Sequence, residues 1–375
     1  MIYLDHNATT RPDPAVVKAL AWASQEAWGN PSTLYRAGRE AKAVLDAARE
    51  RVARLIGAPE AAQVVFTSGG TETDALALFG VLRRPDQQKR HLVTSMAEHQ
   101  AVLRACARLE TEGFPVTYLP TDGLGRVDPE DVRRSLRPDT ALVSVILANN
   151  EVGTVNPVAG IAALCRERGV LVHTDAVQAC GKIPVKVDEL GVDLLSLSGH
   201  KFYGPRGIGS LWVRPGTVLQ PVLVGGTQER GLRAGTEPVA LAHALGVAAD
   251  LAQGRIESDG KRIRALRDRL WEGLCEAIPG IRAHGDLENG LPNTLNVSFP
   301  GREAEALILA LDEAGIAVGT GSACTTGDTR PSHVLLAMGV PPAEARTSIR
   351  FSLGRGNTVE EIDRTASALA GIVRR

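Results

Sequence analysis

The chain has 375 residues, which is enough for one large and one smaller domain. Its 42 basic and 43 acidic residues leave a formal net charge of −1. This balance excludes the basic surface that nucleic acid or an anionic membrane requires, so we expect neither a nucleic acid partner nor a membrane contact.

The sequence near the N-terminus and the cysteine pattern indicate the cellular compartment of the protein. Asp5 stands where a secretion signal would need a basic segment and an apolar run, and no apolar stretch approaches the ~18 residues of a membrane span. The cysteines are odd in number, widely spaced and without a C-x-x-C pair, which excludes a disulfide framework or a zinc ribbon. They are Cys106, Cys165, Cys180, Cys275 and Cys324. We therefore expect a cytoplasmic protein.

In the first two thirds of the chain, short β-branched runs alternate with helix-length amphipathic segments. This alternation predicts an α/β protein with a mostly parallel sheet and helices on both faces. Because the last two strands lie close in sequence, we expect an antiparallel edge there. The predicted elements are strand 64–67, helix 71–82, strand 92–94, helix 99–109, strand 142–146, helix 158–168, strand 170–175, strand 194–198 and strand 208–213.

From about Leu241 the pattern changes to long helices and then a short α+β segment. The predicted elements are helices 238–251 and 261–277, strand 294–299, helix 303–314, strand 316–318, strand 348–352 and helix 359–373. We interpret residues 12–253 as a large domain. Residues 1–11 and 254–375 form a smaller domain, which carries a mobile cysteine loop at about 319–332.

A lysine and an aspartate each follow an apolar strand. Lys201 comes after the strand 194–198 and before a tight glycine/proline turn, which would hold it near the sheet edge. A desolvated lysine of this kind forms Schiff bases, although a lysine taken alone is usually solvated. Asp175 ends the strand 170–175 at the edge where parallel sheets bind ligands. It could pair with the ring nitrogen of pyridoxal phosphate or merely cap the next helix.

The segment 67–72, Thr-Ser-Gly-Gly-Thr-Glu, joins a strand to a helix. Its glycines let a ligand approach the backbone, and the free N–H groups at a helix start favour an anion such as phosphate. The segment lacks the Gly-Lys pair of a nucleotide-binding P-loop. Many strand-to-helix turns share this pattern.

Cys324 differs from the other cysteines. Cys106, Cys165, Cys180 and Cys275 lie in or beside helical patterns and are expected to pack in the core. Cys324 lies in a polar, glycine-rich stretch that is unsuited to burial. An accessible thiol on such a loop is a candidate nucleophile that can move towards a site and away again.

Taken together, these segments resemble one family. The motifs are 5–10 (DHNATT), 66–72 (FTSGGTE), 98–99 (EH), 149–153 (NNEVG), 175–178 (DAVQ), 198–201 (SGHK), 321–325 (GSACT) and 349–354 (IRFSLG). In this order they are similar to the NifS/IscS-type cysteine desulfurases, which belong to class V of the fold-type I pyridoxal-phosphate enzymes. The likeness runs from Tyr3 to the last helix.

The resemblance implies a role for each matching residue. Lys201 would attach the cofactor, Asp175 would pair with its ring nitrogen, and His99 would stack on the ring and shuttle protons. The resemblance implies cofactor contacts for Gly70, Thr71, Asn150, Gln178, Ser198 and His200. Thr236 would reach the phosphate of a neighbouring subunit, so a homodimer is implied. Arg350 would clamp the substrate carboxylate, with Asn7 beside it.

The resemblance also implies a reaction. L-cysteine would become L-alanine, and Cys324 would take the sulfur as a persulfide. The sulfur would pass to an acceptor protein, for iron–sulfur cluster assembly, another thio-cofactor or tRNA thiolation. No resident metal is implied, although the Cys324 persulfide could contact a nascent iron–sulfur cluster. The open alternatives are a selenocysteine lyase, another class V enzyme, and a sulfur carrier without catalysis.

Overall fold

The computed structural model describes residues 1–320 and 330–374. Its strands are β1 (Ile2–Tyr3), β2 (Val64–Thr67), β3 (His91–Ser95), β4 (Val116–Leu119), β5 (Thr140–Ser144), β6 (Leu171–Asp175), β7 (Leu194–Ser198), β8 (Gly209–Val213), β9 (Arg282–His284), β10 (Thr294–Ser298), β11 (Ile316–Ala317) and β12 (Ser348–Ser352).

Helices precede, separate and follow these strands. They are α1 (Pro14–Glu26), α2 (Arg36–Leu55), α3 (Gly70–Leu82), α4 (Gln100–Thr111), α5 (Pro129–Ser135), α6 (Val158–Glu167), α7 (Val187–Leu190), α8 (Val239–Gln253), α9 (Ile256–Ala277), α10 (Ala304–Glu313), α11 (His333–Ala337), α12 (Pro342–Ala345) and α13 (Val359–Arg374). In the ranges 1–320 and 330–374, no helix is both long enough and apolar enough to cross a membrane.

The central sheet has seven strands in the order β2-β8-β7-β6-β5-β3-β4. Its strands from β7 to β4 run parallel, which confirms the predicted mostly parallel sheet. β8 runs antiparallel to both β7 and β2. The prediction of an antiparallel edge at β7 and β8 is therefore wrong in one respect. β8 runs antiparallel to β7, but it does not lie at the edge of the sheet, because β2 pairs along its other side.

Both faces of this sheet are buried. In β2, Val64 and Phe66 belong to one hydrophobic cluster and Val65 belongs to another. Successive side chains of a strand point to opposite faces, so each cluster fills one side of the sheet. This arrangement explains why the strands read as continuous apolar runs without polar alternation.

The remaining strands form two smaller sheets. β12, β10 and β9 pair antiparallel, and β1 pairs with β11 in parallel. Together with α9, α10 and α13 they enclose a separate hydrophobic cluster that includes Leu4, Leu270 and Phe351. The division into domains at residues 12–253 and at 1–11 with 254–375 stays a prediction, and this separate cluster supports it.

The cysteine environments differ from the prediction at one position. Cys106, Cys165 and Cys180 are buried, but Cys275 is exposed, so the expectation of core packing is wrong for Cys275. It lies on α9 at a position that faces solvent. Burial raises the pKa of the Cys165 thiol to about 12, and it also raises the pKa values of Cys106 and Cys180. These three thiols are therefore poor nucleophiles.

A pair of leucine variants tests the packing of the central sheet. Leu142 in β5 is fully buried, whereas Leu309 on α10 is 61% exposed. We expect Leu142→Ala to lower the free energy of unfolding by about 2–5 kcal/mol, because it removes buried methyl groups and leaves a cavity. Leu309→Ala should change it by less than about 0.5 kcal/mol. Denaturant unfolding of both variants checks this, and equal losses would contradict the assignment of β5 to the core.

Candidate active site

A cavity of about 290 Å³ lies at the carboxyl ends of β6 and β7. Parallel strands end at a common edge, so residues distant in sequence meet there. The predicted site residues that line the cavity are Asn7, Gly70, Thr71, His99, Asn150, Asp175, Gln178, Ser198, His200, Lys201 and Arg350. The structure therefore gathers the predicted cofactor-binding residues, except Thr236, and the predicted substrate-binding residues around one space.

Lys201 lies in the 3-10 turn 199–201 that directly follows β7. Its Nζ donates to the carbonyl oxygens of Asn7, at 2.6 Å, and Ala8, at 2.8 Å. The turn after it is tight, because a Cβ on Gly204 would lie 2.6 Å from the carbonyl oxygen of Gly199. Backbone geometry thus keeps this amine at the sheet edge.

Asp175 and His99 face the same space. Asp175, the last residue of β6, is 3% exposed, and its Oδ1 accepts from the Val177 N–H at 2.8 Å. Burial raises its pKa, and the interactions with His99, the Val177 N–H and Lys201 act in the opposite direction. His99 precedes α4 and caps it, with Nδ1 accepting from the Ala101 N–H at 3.2 Å. Burial lowers the pKa of His99, which favours a neutral ring with its hydrogen on Nε2.

Further buried acids surround Asp175. Asp74, on the second turn of α3, lines the cavity, and its Oδ1 is buried without a hydrogen-bond partner in the described part of the chain. Burial and the nearby Asp175 charge raise the pKa of Asp74 well above its usual range. Burial likewise raises the pKa of Glu98 to about 8. Ligand atoms of Asp74, His99 and Asp175 all lie within 4.8 Å of one another.

The start of α3 forms one end of the cavity. Gly69, with φ of 152°, turns the chain into the helix, and a Cβ on Gly209 of the neighbouring β8 would lie 2.8 Å from its Cα. Only glycine fits this approach, which leaves the N–H groups of the first turn open to a ligand. The pKa of His200 is lowered to about 4, chiefly by burial and then by the Lys201 charge. Neutral His200 and Ser198 add polar groups beside these N–H groups.

Arg350, in β12, is 2% exposed and already has partners. Its Nη2 donates to Asp5 Oδ1 at 2.7 Å, and its Nη1 donates to the Asn150 carbonyl oxygen at 3.0 Å. Nε has no partner among residues 1–320 and 330–374. The guanidinium therefore lines the cavity with a resident carboxylate beside it, and the Nε N–H and one N–H of each Nη remain for other partners.

Asn7 joins the small sheets to the cavity. Its Nδ2 donates to Thr294 Oγ1 at 2.9 Å, and its Oδ1 accepts from Lys182 Nζ at 2.8 Å and from Asn293 Nδ2 at 2.9 Å. Its carbonyl oxygen accepts from Lys201. The side chain thus uses its hydrogen-bonding groups on the protein itself, and its predicted contact with substrate stays a prediction.

Two predicted site residues are not placed in the cavity. Thr236 is exposed and is not among the residues that line the cavity. Arg233, three residues before it, donates from Nε to Glu72 Oε1 at 2.9 Å. Cys324 lies outside the described residues. Gly319, five residues before it, exchanges backbone hydrogen bonds with Arg350 at 2.7 and 3.1 Å.

The sequence analysis missed Asp74 and Lys182. Asp74 follows Gly70 by four residues, so helical spacing places it on the same face of α3 as the start of the helix. Its position near the cavity could therefore have been predicted from the sequence. Lys182 follows Gln178 by four residues in a turn region rather than a regular helix. No periodicity there indicates that its amine reaches inward.

Comparisons with known proteins agree with this geometry. The family model described as aminotransferase class-V matches residues 2–365. A cysteine desulfurase of Gluconacetobacter diazotrophicus is 48% identical over 373 residues, which cover 99% of this chain and 93% of the relative. These matches extend over the central sheet, the smaller sheets and every element that lines the cavity.

Solved structures give the same result. A NifS-like protein superposes with a TM-score of 0.93 at 38% identity, covering 100% of this chain and 99% of the other, which confirms the expected type I fold of pyridoxal-phosphate enzymes. A structure of SspA in complex with cysteine has a TM-score of 0.83 at 35% identity and covers 94% of this chain and 99% of that one. The chain belongs to the aminotransferase class-V family, in its branch of NifS-like cysteine desulfurases.

Proposed function

We propose that the cavity binds pyridoxal 5′-phosphate and L-cysteine, and that the sulfur of L-cysteine passes to Cys324 with release of L-alanine. The observation that carries this proposal is that Lys201 and Asp175 line one cavity together with a helix start that suits a phosphate. An amine, a buried carboxylate and an anion site are the groups that hold this cofactor.

The polar groups of the cavity fit the cofactor. Asp74 Oδ1 and Asn150 Oδ1 are buried without partners among residues 1–320 and 330–374, so they can receive donors from a ligand. Lys201 would be the attachment point for the aldehyde, and Asp175 would pair with the ring nitrogen. The N–H groups at the start of α3, with Thr71, Ser198 and His200, would hold the phosphate. When bound, the cofactor supplies an electron sink for the bonds of the substrate.

The substrate carboxylate would bind to Arg350. Two of its five N–H groups are used on Asp5 and Asn150, which leaves the Nε N–H and one N–H of each Nη for a ligand. A planar guanidinium can orient a carboxylate through adjacent N–H groups, which would aim the rest of L-cysteine towards Lys201. Binding at this end fixes which bond of the substrate faces the base.

Protons would move at two side chains. Lys201 Nζ, once released from the cofactor, can take the α-proton of the substrate and return it. His99 carries its hydrogen on Nε2, because Nδ1 accepts from the Ala101 N–H. That hydrogen can be donated and retaken among the cofactor, the substrate sulfur and the thiol, which makes His99 the proton shuttle.

Cys324 would receive the sulfur. Its thiolate attacks the sulfur of L-cysteine, an S–S bond forms, and the substrate C–S bond breaks with its electron pair going to carbon. Protonation there gives L-alanine, so the thiol and L-cysteine become a persulfide and L-alanine. Five residue steps separate Cys324 from Gly319, which pairs with Arg350, and an extended chain spans at most ~18 Å over that length.

We also propose a homodimer in which Thr236 contacts the phosphate in the partner subunit. Thr236 is exposed in the single chain, and the ion pair between Arg233 and Glu72 fixes the neighbouring segment against α3. The persulfide sulfur would then pass to an acceptor protein, for an iron–sulfur cluster, another thio-cofactor or tRNA thiolation. Cys324 must be a free thiol to take the sulfur, and a reducing compartment keeps it in that form, so we place the reaction in the cytoplasm.

A selenocysteine lyase, or another class V enzyme, is the alternative. The same amine, acid and guanidinium would serve cleavage of a C–Se bond, so product measurements separate the two. Parallel assays with L-cysteine and L-selenocysteine decide between them, because a lyase would release alanine only from the selenium substrate.

The cysteine variants test the sulfur transfer. With cofactor, L-cysteine and a reductant, the wild type should release equimolar alanine and sulfide. Cys324→Ala should lower both by at least about 100-fold, because it removes the nucleophile of a covalent step. Cys275→Ala, which removes an exposed thiol away from the cavity, is the matched control and should retain full activity. Equal sulfide from Cys324→Ala and the wild type would refute the role of Cys324.

A second pair of variants tests the attachment of the cofactor. Lys201→Ala should abolish the visible absorbance of the bound cofactor, because no amine remains to join its aldehyde. Lys186→Ala, which removes an exposed lysine paired with Glu189, should keep it. Absorbance spectra after incubation with pyridoxal 5′-phosphate and gel filtration provide the measurement. A wild type that stays colourless would contradict the proposed function itself.

A further inference from the structure

Lys182 is a lysine beside the cavity for which the proposed reaction has no role. It does not line the cavity of about 290 Å³, but it lines a smaller cavity of about 20 Å³ that it shares with Lys201. We propose that Lys182 is a positioning residue that fixes the side chains of Gln178 and Asn7 and so determines which polar atom Gln178 presents to the cofactor. This inference rests on the proposed function.

The contacts of Lys182 are directional. Its Nζ donates to Asn7 Oδ1 at 2.8 Å and also to Gln178 Oε1. Asn7 is 1% exposed and Gln178 is 3% exposed, so the amine reaches the protein interior although the residue as a whole is only partly buried. The amine therefore contacts the oxygen end of each amide.

Because the oxygen of the Gln178 amide accepts from Lys182, its NH₂ group is the end that can contact other partners. Gln178 Nε2 donates one hydrogen to the Asn7 carbonyl oxygen at 2.9 Å. Its second hydrogen remains for the cavity that Gln178 lines. Through this chain of contacts, Lys182 makes Gln178 a hydrogen-bond donor towards the ligand.

The surroundings of Lys182 suit an uncharged amine. Its acceptors are amide oxygens, and no carboxylate pairs with it in the part of the chain that the structure describes. Burial and the positive charges of Lys201 and Arg350 lower its pKa well below the usual range. A neutral amine has two hydrogens, and the two amide oxygens accept both. Lys182 thus orients its neighbours without adding a charge beside Lys201.

Loss of this amine has a specific consequence. Without it, the Gln178 amide can rotate and present Oε1 in place of an N–H to an oxygen of the cofactor. An N–H bonded to an anionic oxygen stabilises the deprotonated form, whereas a carbonyl oxygen disfavours it. The pH at which the bound cofactor changes its absorbance should therefore rise when Lys182 is removed.

The experiment titrates the visible absorbance of the holoenzyme with pH. We expect Lys182→Met to raise the apparent pKa of the absorbance change by about one unit, the effect of losing one charge-assisted hydrogen bond. Lys182→Gln, which is too short to reach both acceptors, should give the same direction of shift and replaces Lys182→Met if that variant does not fold. Lys186→Met, an exposed lysine four residues on, is the matched control and should titrate like the wild type.

A double variant separates positioning from a general structural effect. If Lys182 acts through Gln178, Gln178→Leu alone should shift the pKa, and adding Lys182→Met should not increase that shift. Additive shifts, or a Lys182→Met protein that titrates like the wild type, would overturn the inference. A wild type without visible absorbance would instead defeat the proposed function, so the two failures are distinguishable.

Discussion

Under the proposed function, the site depends on keeping the Asp175 carboxylate ionised inside the protein. Burial raises its pKa, and the carboxyl groups of Asp74 and Glu98 lie in the same region. Burial raises the pKa of Glu98 to about 8, which favours its neutral form at pH 7, and it raises the pKa of Asp74 well above the usual range. At Asp175, the interactions with His99, the Val177 N–H and Lys201 act against burial and favour the ionised form. An ionised acid at this position is what the proposed pairing with a ring nitrogen requires.

Sheet topology brings the opposing charges to this acid. β6 and β7 are parallel neighbours, so Asp175 and the turn that carries Lys201 leave the sheet at the same edge. The chain beyond β1 then crosses that edge, and Asn7 accepts from Lys201 while contacting Thr294 in β10. Because one residue holds the amine and the smaller sheets together, movement of those sheets would also move the groups around the amine. Packing and catalysis thus share the same contacts.

The site residues whose positions depend on local sequence pattern could be predicted from the sequence. Asp175 ends one apolar strand, Lys201 follows another, and the helix start at Gly70 lies in a glycine pair, so their positions could be predicted without a structure. The inner position of β8 could not be read, because it depends on pairing with β2, about 150 residues earlier in the chain. Lys182 was missed for a similar reason: its importance arises from partners that come together only in the fold. Cys275 was misplaced because a helical pattern alone does not say which neighbour covers it.

The pairing of Arg350 with Asp5 also bears on turnover. A buried guanidinium needs a counter-ion, and Asp5 provides one before any substrate arrives. A substrate carboxylate therefore meets a group whose charge is already offset, and it gains mainly oriented hydrogen bonds from the N–H groups that remain. Under the proposed function, L-cysteine and L-alanine carry the same carboxylate, so a fully unpaired arginine would hold the product as firmly as the substrate. Partial neutralisation lets this end of the site orient the substrate while still releasing the product.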